Sequence, residues 1–444
     1  MLKTFRIGGI HPPESKLSAG KKVEILPIPK QVIVPLGQSL GAPSEPVVAR
    51  GDEVKVGTLL AKSAGFISSN VHSPVSGKVQ KIDKVVDTSG YKRDAIIIEV
   101  IGDEWEETID RSETLVKDCQ LSSKEIIDKV AEAGIVGLGG ATFPAYVKLL
   151  SAVDKTDTLI INATECEPYL TDDHALMLLK GEEILVGTTI LMKAIHVERA
   201  FIGIENNKKD AIAHLSKLAQ QYPGIEVVPL KTQYPQGGEK QLIDALLRRQ
   251  VPSGKLPADV GCVVQNVGTA FAVYEAVQKN KPLVERIVTV TGKTLQDPCD
   301  FKVRIGTPVR HLLEARGYIR EEQTVLQKVI AGGPMMGKAL TNIDVPVTKG
   351  MSGVLVLPAE ESVRKEAREC IRCAQCVAAC PMGLVPSQLM TLSEFEDWDK
   401  AESFHVYDCL ECGSCSFVCP SNRPLLDHIR YGKGKVLTII RNRK

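Results

Sequence analysis

A chain of 444 residues has room for three or four domains, and 43% hydrophobic with 25% charged residues is ordinary for folded soluble protein. A net charge of +1 excludes the concentrated basic surface of a nucleic-acid binder, and no run reaches the roughly 18 apolar residues that a membrane span needs. Of the 12 cysteines most fall in two tight runs, and the opening Met1-Leu-Lys-Thr-Phe-Arg lacks the apolar core of a secretory leader, so a reducing compartment is expected.

In chain order, residues 1–30 are rich in proline and lysine and read as an extended lead-in. Residues 31–101 hold short apolar runs broken by glycine and proline (Gln31-Val-Ile-Val-Pro35, Gly51 to Gly57, Asp94-Ala-Ile-Ile-Ile-Glu-Val100), the pattern of hairpins and tight turns. Gly102 to Thr114 is an acidic, polar linker. Ser122-Ser-Lys-Glu125 has capping-box form ahead of Ile126, Ile127 and Val130, which predicts a helix start. Across 115–284 the pattern alternates: a helix to Leu150, a strand Thr158–Asn162, a helix near 173–195, a strand from Ala200, a helix at 208–221 and a strand from Glu226. That alternation predicts an α/β domain with a largely parallel sheet. Residues 285–345 change to strand, turn, short helix and the glycine-rich Gly332-Gly-Pro-Met-Met-Gly337. A cysteine-bearing domain is expected over 353–444, ending in a basic tail from Lys433 to Lys444.

The first cysteine run is Cys370-Ile-Arg-Cys373-Ala-Gln-Cys376-Val-Ala-Ala-Cys380-Pro381; the second is Cys409-Leu-Glu-Cys412-Gly-Ser-Cys415-Ser-Phe-Val-Cys419-Pro420. Zinc also takes paired cysteines, but needs only four ligands, whereas here a third Cys-x-x step and a closing Cys-Pro recur twice. This spacing holds [4Fe–4S] clusters, with the fourth cysteine of each run on the other cluster. Cys370, Cys373, Cys376 and Cys419 are thus assigned to one centre, and Cys409, Cys412, Cys415 and Cys380 to the second.

Clusters pass single electrons while metabolic reductants deliver hydride, so an adaptor such as a flavin is expected in the α/β domain. Gly137-Leu-Gly139-Gly140 offers bare backbone N–H groups to a phosphate beside a helix start. By itself the loop would serve equally as a tight turn.

Several stretches carry resemblances. Gly51 to Gly57 with Ser73-Pro-Val-Ser-Gly77 resembles the barrel-sandwich hybrid of biotinyl and lipoyl carriers, but Asn70-Val-His72-Ser-Pro has no lysine to modify, so no covalent cofactor is expected there. Residues 285–345 resemble the SLBB β-grasp module. Gly137-Leu-Gly-Gly-Ala-Thr-Phe143-Pro144 with Lys148, Asn162-Ala-Thr-Glu165-Cys-Glu167-Pro168, Tyr234-Pro-Gln-Gly-Gly238-Glu239 and Gln265-Asn266-Val-Gly resemble, in order, the flavin blocks of the NADH-binding subunit of respiratory complex I. The whole chain is similar to the C subunits of Rnf electron transport complexes.

That resemblance implies a multidomain α/β plus β fold. Its parts would be a barrel-sandwich hybrid, an FMN/NADH-binding α/β domain, an SLBB module and a helical two-cluster ferredoxin-like domain. It implies non-covalent FMN held by Gly137, Gly139, Gly140, Lys148, Asn162, Glu165 and Asn266. Glu167 and Glu239 would bind NAD(H), with Phe143 stacked on its adenine. This chain departs from the pattern at Thr142, Thr164, Gly238 and Gln265. The implied function is NADH/FMN and iron–sulfur electron transfer within a membrane complex that couples ferredoxin:NAD+ chemistry to ion movement. The chain would sit peripherally on the cytoplasmic face, bound to partner subunits and linked to ferredoxin indirectly. The alternatives are a soluble flavin and iron–sulfur corrinoid reductase, or a non-catalytic electron-wire scaffold.

Overall fold

The computed structural model describes residues 2–318 and 327–443. The end of the basic tail, Lys444, and part of the segment expected to form the SLBB module lie outside them. The α/β domain is built on four parallel strands in the order Ile225–Leu230, Ala200–Glu205, Thr158–Asn162, Cys262–Asn266. Two of them step outward from Thr158–Asn162, and the last returns to its other side. The carboxyl ends of Thr158–Asn162 and Cys262–Asn266 therefore flank a topological switch point, where α/β sheets bind ligands. Asn162 and Asn266 are register partners there. Ile160, Ile161, Leu159 and Ala200 are fully buried, as suits strands covered by helices on both faces.

The helix Ser123–Glu132 starts with the capping box read from the sequence, Ser122 and Glu125 satisfying each other's backbone N–H groups. One correction concerns the helix placed near 173–195. It is two helices, Asp172–Leu179 and Gly181–Ile195, breaking at Lys180. A Cβ at Gly181 would lie 2.7 Å from His214 Nε2, so the break tucks the chain against the next helix.

The barrel-sandwich hybrid pairs a sheet of Gln31–Pro35, Lys92–Gly102, Ser76–Val86 and Glu53–Val54 with a smaller one of Glu45–Pro46, Leu59–Lys62 and Val71–His72. Val32, Val34, Leu60, Ile96 and Ile98 fill the space between them, alternating along their strands. The hairpin that would carry a modified lysine points into the protein. Lys349 Nζ donates to Asn70 O at 2.6 Å and to Gly134 O at 2.7 Å, and burial, then Lys349, pushes the His72 imidazole down to about 3. Intact-mass spectrometry should find residues 31–101 without a biotinyl or lipoyl adduct; such an adduct would require this hairpin to leave its seat.

The β-grasp sheet runs Glu24–Ile25, Cys299–Arg304, Glu285–Thr291, Gly353–Leu357, Lys328–Ala331, Lys338–Ala339. One boundary moves. Gly353–Leu357, expected with the cysteines, is an interior strand here, because four consecutive apolar residues need a partner on each side. The extended segment 1–30 makes contacts along its length as well. Lys3 bridges to Leu230, Ile10 to Tyr234, and Glu24–Ile25 adds an edge strand to the β-grasp sheet. It straps three domains together.

Among the described residues from 370 onward the cluster domain holds five α-helices and one short 3-10 helix, and of these Pro386–Glu394 and Leu425–Asn442 bury Leu389, Met390, Leu425, Ile429 and Val436. Among the described residues no helix is long and apolar enough to cross a membrane.

Candidate functional site

The glycine loop closes on itself: Gly137 N donates to Phe143 O at 2.8 Å, and Leu138 N donates to Thr269 Oγ1 at 3.0 Å. Its tip, Gly139 and Gly140, is exposed over Asn266. Gly140 has φ of 101°, a conformation that disfavours any Cβ, and a Cβ built there meets nothing within 4 Å. A Cβ on Gly139 would lie 3.5 Å from Asn266 Cβ. Thr142, the departure that adds a side chain to the loop, turns its methyl against Gly350, where a Cβ would be 2.3 Å from Thr142 Cγ2. Gly350 makes room for it, and the loop's open face stays clear.

The other residues converge on the carboxyl edge of the two central strands. Asn162 Nδ2 donates to Gly237 O at 2.9 Å, and its Oδ1 accepts from Thr164 Oγ1 at 2.8 Å. Thr164 replaces an acid here and does different work, fixing the amide's orientation. Asn266 caps the helix Val267–Gln278 through Gly268 N and donates to Asp173 Oδ2 at 2.8 Å. Lys148 Nζ, from the helix Ala145–Ala152, lies 2.7 Å from Glu239 Oε1 and donates to Val264 O at 3.2 Å. Phe143 is half-buried at the loop's end.

The two glutamates of the acidic loop face elsewhere. Glu165 Oε1 accepts from Asp173 N at 2.7 Å and His174 N at 3.3 Å, the first N–H groups of the helix Asp172–Leu179. Its Oε2 is buried with no hydrogen bond, 3.7 Å from Lys16 Nζ. Glu167, expected at the nicotinamide nucleotide, has both oxygens engaged by the β-grasp loop, accepting from Met335 N at 3.1 Å and Met336 N at 2.7 Å. Gly333 permits that approach, since a Cβ there would stand 2.3 Å from the carboxylate. Burial pushes Glu167 up to about 7 against the pull of those two N–H groups. A carboxyl raised from its ordinary value of about 4.3 binds its proton more tightly when folded, so its stabilisation is complete at low pH and fades as pH rises through about 7. Glu167→Gln should therefore flatten the fall in thermal unfolding midpoint between pH 5 and 8. Asp173 and Glu205, also raised to about 7, would leave a residual slope. An unchanged profile would reject this role for Glu167.

The cysteines divide between a buried and an exposed group. Cys380, Cys409, Cys412 and Cys415 line one small cavity together with Leu384, Leu389 and Ile429. Burial pushes Cys409 up to about 11 and Cys415 up to about 12, so iron would be needed to hold them as thiolates. Cys370 and Cys373 are exposed, and Cys376 and Cys419 half-buried. Arg368 N donates to Ser421 O at 2.9 Å and Asn422 Nδ2 to Glu366 O at 3.2 Å, which lays the chain before Cys370 along the chain after Cys419. The two runs share a backbone: Arg372 and Ala374 have φ of 56° and 59°, and the equivalent Glu411 and Gly413 have 59° and 79°. Such left-handed residues turn successive N–H groups inward as an anion nest. Among the described residues no three His, Cys, Asp or Glu side chains converge on a single-ion site.

Cavity and crevice adjoin. Tyr234 O–H donates to Cys412 O at 2.7 Å, Gln241 Nε2 to Pro381 O at 3.0 Å, and Gly9 N to Ala379 O at 3.0 Å. The sequence does not single out Tyr234, Gly237, Asp173 or Lys16. Gly237 and Tyr234 fall inside a motif read for its neighbours, while Lys16, donating to the carbonyls of Glu165, Glu167 and Leu170, carries no local signal.

An α/β crevice with a glycine loop, set against paired four-cysteine motifs, defines a flavin and iron–sulfur electron-transfer protein. The domain described as Nuo51 FMN-binding matches residues 130–275, the RnfC barrel sandwich hybrid domain 3–103, the SLBB domain 287–339 and the 4Fe-4S dicluster domain 362–420. The C subunit of the proton-translocating ferredoxin:NAD(+) oxidoreductase complex of Clostridium ljungdahlii is 46% identical, over 98% of this chain and 94% of that one. The C subunit of the Na(+)-translocating complex of Acetobacterium woodii is 43% identical, over 98% and 97%. An air-oxidized NAD+-reducing [NiFe]-hydrogenase chain shares the fold at 18% identity with a TM-score of 0.51, over 71% of this chain and 66% of that one.

The chain belongs to the C-subunit family of ion-translocating ferredoxin:NAD+ oxidoreductase (Rnf) complexes. It is an electron-transfer subunit whose cofactors are FMN and two [4Fe–4S] clusters.

The residues fit those groups. Gly139 and Gly140 leave an open cradle next to Asn266, Gln265 Nε2 is buried with no hydrogen bond one residue before that asparagine, and four thiols line an otherwise apolar cavity.

Proposed function

We propose that this subunit exchanges electrons with NAD(H) at the crevice over Asn162 and Asn266 and relays them through the Cys412 centre, then the Cys370 centre, to partner subunits. When bound, FMN accepts hydride and the clusters take its electrons singly. Gly139 and Gly140 would present backbone N–H groups to the flavin phosphate, while Gly137, its N–H already donated to Phe143 O, closes the loop that carries them; Lys148, Asn162 and Asn266 would hold the ring's polar edge; Glu165 would orient the loop beneath. Glu239 and Phe143 receive the nicotinamide nucleotide, while Glu167 acts indirectly by anchoring the β-grasp loop. The observation that carries this reading is the direct contact of crevice and buried cysteine cavity through the segment Tyr234–Gln241. The exposure of Cys370 and Cys373 supports that centre as the exit.

Anaerobically purified protein should contain about eight irons and eight sulfides, one FMN per chain, and a flavin bleached by NADH. Absence of bleaching in flavin-replete protein would reject the NAD(H) site and favour a corrinoid substrate or a passive scaffold.

The site of action is the cytoplasmic face of the membrane, with ferredoxin reached through other subunits. Attachment would fall to protein contacts, because several cations of the last helix and the tail are engaged locally. Arg430 and Lys433 pair with Glu411 at 3.1 and 2.9 Å, and Arg443 with Glu402 at 2.7 Å. Expressed with partner subunits, the chain should sediment with membranes and resist a moderate salt wash, since screening removes surface charge attraction but not packed contacts. Release by salt would reverse that assignment.

A further inference from the structure

Between the flavin crevice and the buried cysteine cavity runs a single loop that begins at Tyr234. Toward the crevice, Gly237 O accepts from Asn162 Nδ2 at 2.9 Å and Gly237 N donates to Cys166 Sγ at 3.3 Å. Toward the cavity, the phenol of Tyr234, 2% exposed, donates its O–H to the carbonyl of Cys412 at 2.7 Å. The ring lies among Ile10, Ala379, Cys412, Cys166 and Met335, an apolar pocket that phenylalanine would fill as well. The strap fixes its backbone, with Ile10 N donating to Tyr234 O at 2.8 Å and Tyr234 N to Ile10 O at 2.9 Å. A hydroxyl buried in apolar surroundings costs stability unless bonded, and its partner here belongs to a cluster cysteine.

We propose that Tyr234 is a positioning residue for electron transfer. Its phenol raises the potential of the cluster held by Cys412 and pins the loop Tyr234–Glu239 as the route from the flavin to that cluster. The proposal rests on the reading that flavin lies against Asn162 and Gly237. The bond ends on the backbone carbonyl of a ligand residue and not on its sulfur, so it acts as a preorganised dipole beside the cluster, and a dipole with its positive end turned that way favours the more negative, reduced state. In the step it serves, one electron leaves the reduced flavin and lowers the cluster's charge by one. The Cys370 centre is the next acceptor, and Tyr234 gains and loses nothing.

Two substitutions in the holoprotein test this, read by EPR-monitored redox titration of both centres and by rapid mixing with NADH. Tyr234→Phe should make the Cys412 centre more negative, leave the Cys370 centre where it was, and slow cluster reduction several-fold while flavin bleaching keeps its rate. Placing 3-fluorotyrosine at 234, a stronger donor of the same shape, should shift the Cys412 centre in the opposite direction. Potentials unmoved by both substitutions overturn the proposal and leave the flavin reading standing. Equal shifts at both centres would show general loosening and overturn it too. Wild-type protein whose flavin is not bleached by NADH would overturn that reading and the proposal together.

Discussion

Gly140→Val should yield protein with both clusters and little or no flavin. Two effects act at this position. The left-handed backbone, at φ of 101°, disfavours any side chain by about 1–2 kcal/mol, a modest fraction of the 5–15 kcal/mol that keeps a domain folded. The protein should therefore still fold. The second effect is occupancy: the space above Gly140 is empty of protein, so a branched side chain fills the volume that faces a flavin phosphate. Gly139→Ala separates the two. Gly139 has no left-handed strain, and its new methyl would sit in ordinary contact at 3.5 Å from Asn266 Cβ. It should weaken flavin binding about tenfold, the equivalent of about 1.4 kcal/mol, without lowering the unfolding midpoint. Flavin fluorescence released on dilution measures both variants, and iron content checks the clusters. Full flavin retention by Gly140→Val would reduce the loop to a tight turn.

The cysteine runs were legible because their chemistry is local: it needs particular residue types at fixed short spacing, whereas the glycine loop taken alone reads equally well as a tight turn. Asn162 and Asn266 were reached through the resemblance of their blocks, and only the parallel pairing of their strands shows that they stand side by side. What the sequence concealed depends on residues far apart in the chain. Glu167 reads as a nucleotide contact until Gly333 and the N–H groups of Met335 and Met336 come within reach. Thr142 reads as an obstruction until Gly350 opposite it is seen to lack a side chain. The first 30 residues carry no strong periodicity, since each contact is made with a different domain; Arg6 pairs with Asp244 at 2.5 Å, and Lys16 satisfies three carbonyls. Gly353–Leu357 is a buried strand by composition, yet which sheet claims it is a matter of topology.

Cys380→Ser should abolish the centre formed with Cys409, Cys412 and Cys415 and spare the one built by Cys380's own neighbours, Cys370, Cys373 and Cys376. Cys380 lines the same cavity as the second run's first three cysteines, and the backbone N–H groups of Met382, Leu384 and Gly383 act on its thiol against the effect of burial. They favour charge on sulfur where iron would bind it. Pro381, with no N–H of its own, turns the chain away after the ligand. With one thiolate missing, iron should fall from about eight toward about four per chain. EPR should lose the buried centre's signal. The consequence for function differs between the centres. NADH should still bleach the flavin of Cys380→Ser, but electrons should reach the Cys370 centre far more slowly, because the buried centre lies between. Cys370→Ser is the counterpart: its flavin and Cys412 centre should both be reduced normally, and only onward transfer to an external acceptor should fail. If Cys380→Ser instead removes the exposed centre, each run holds its own cluster, and the order of transfer argued from Tyr234 and Gln241 fails with the crossed ligation.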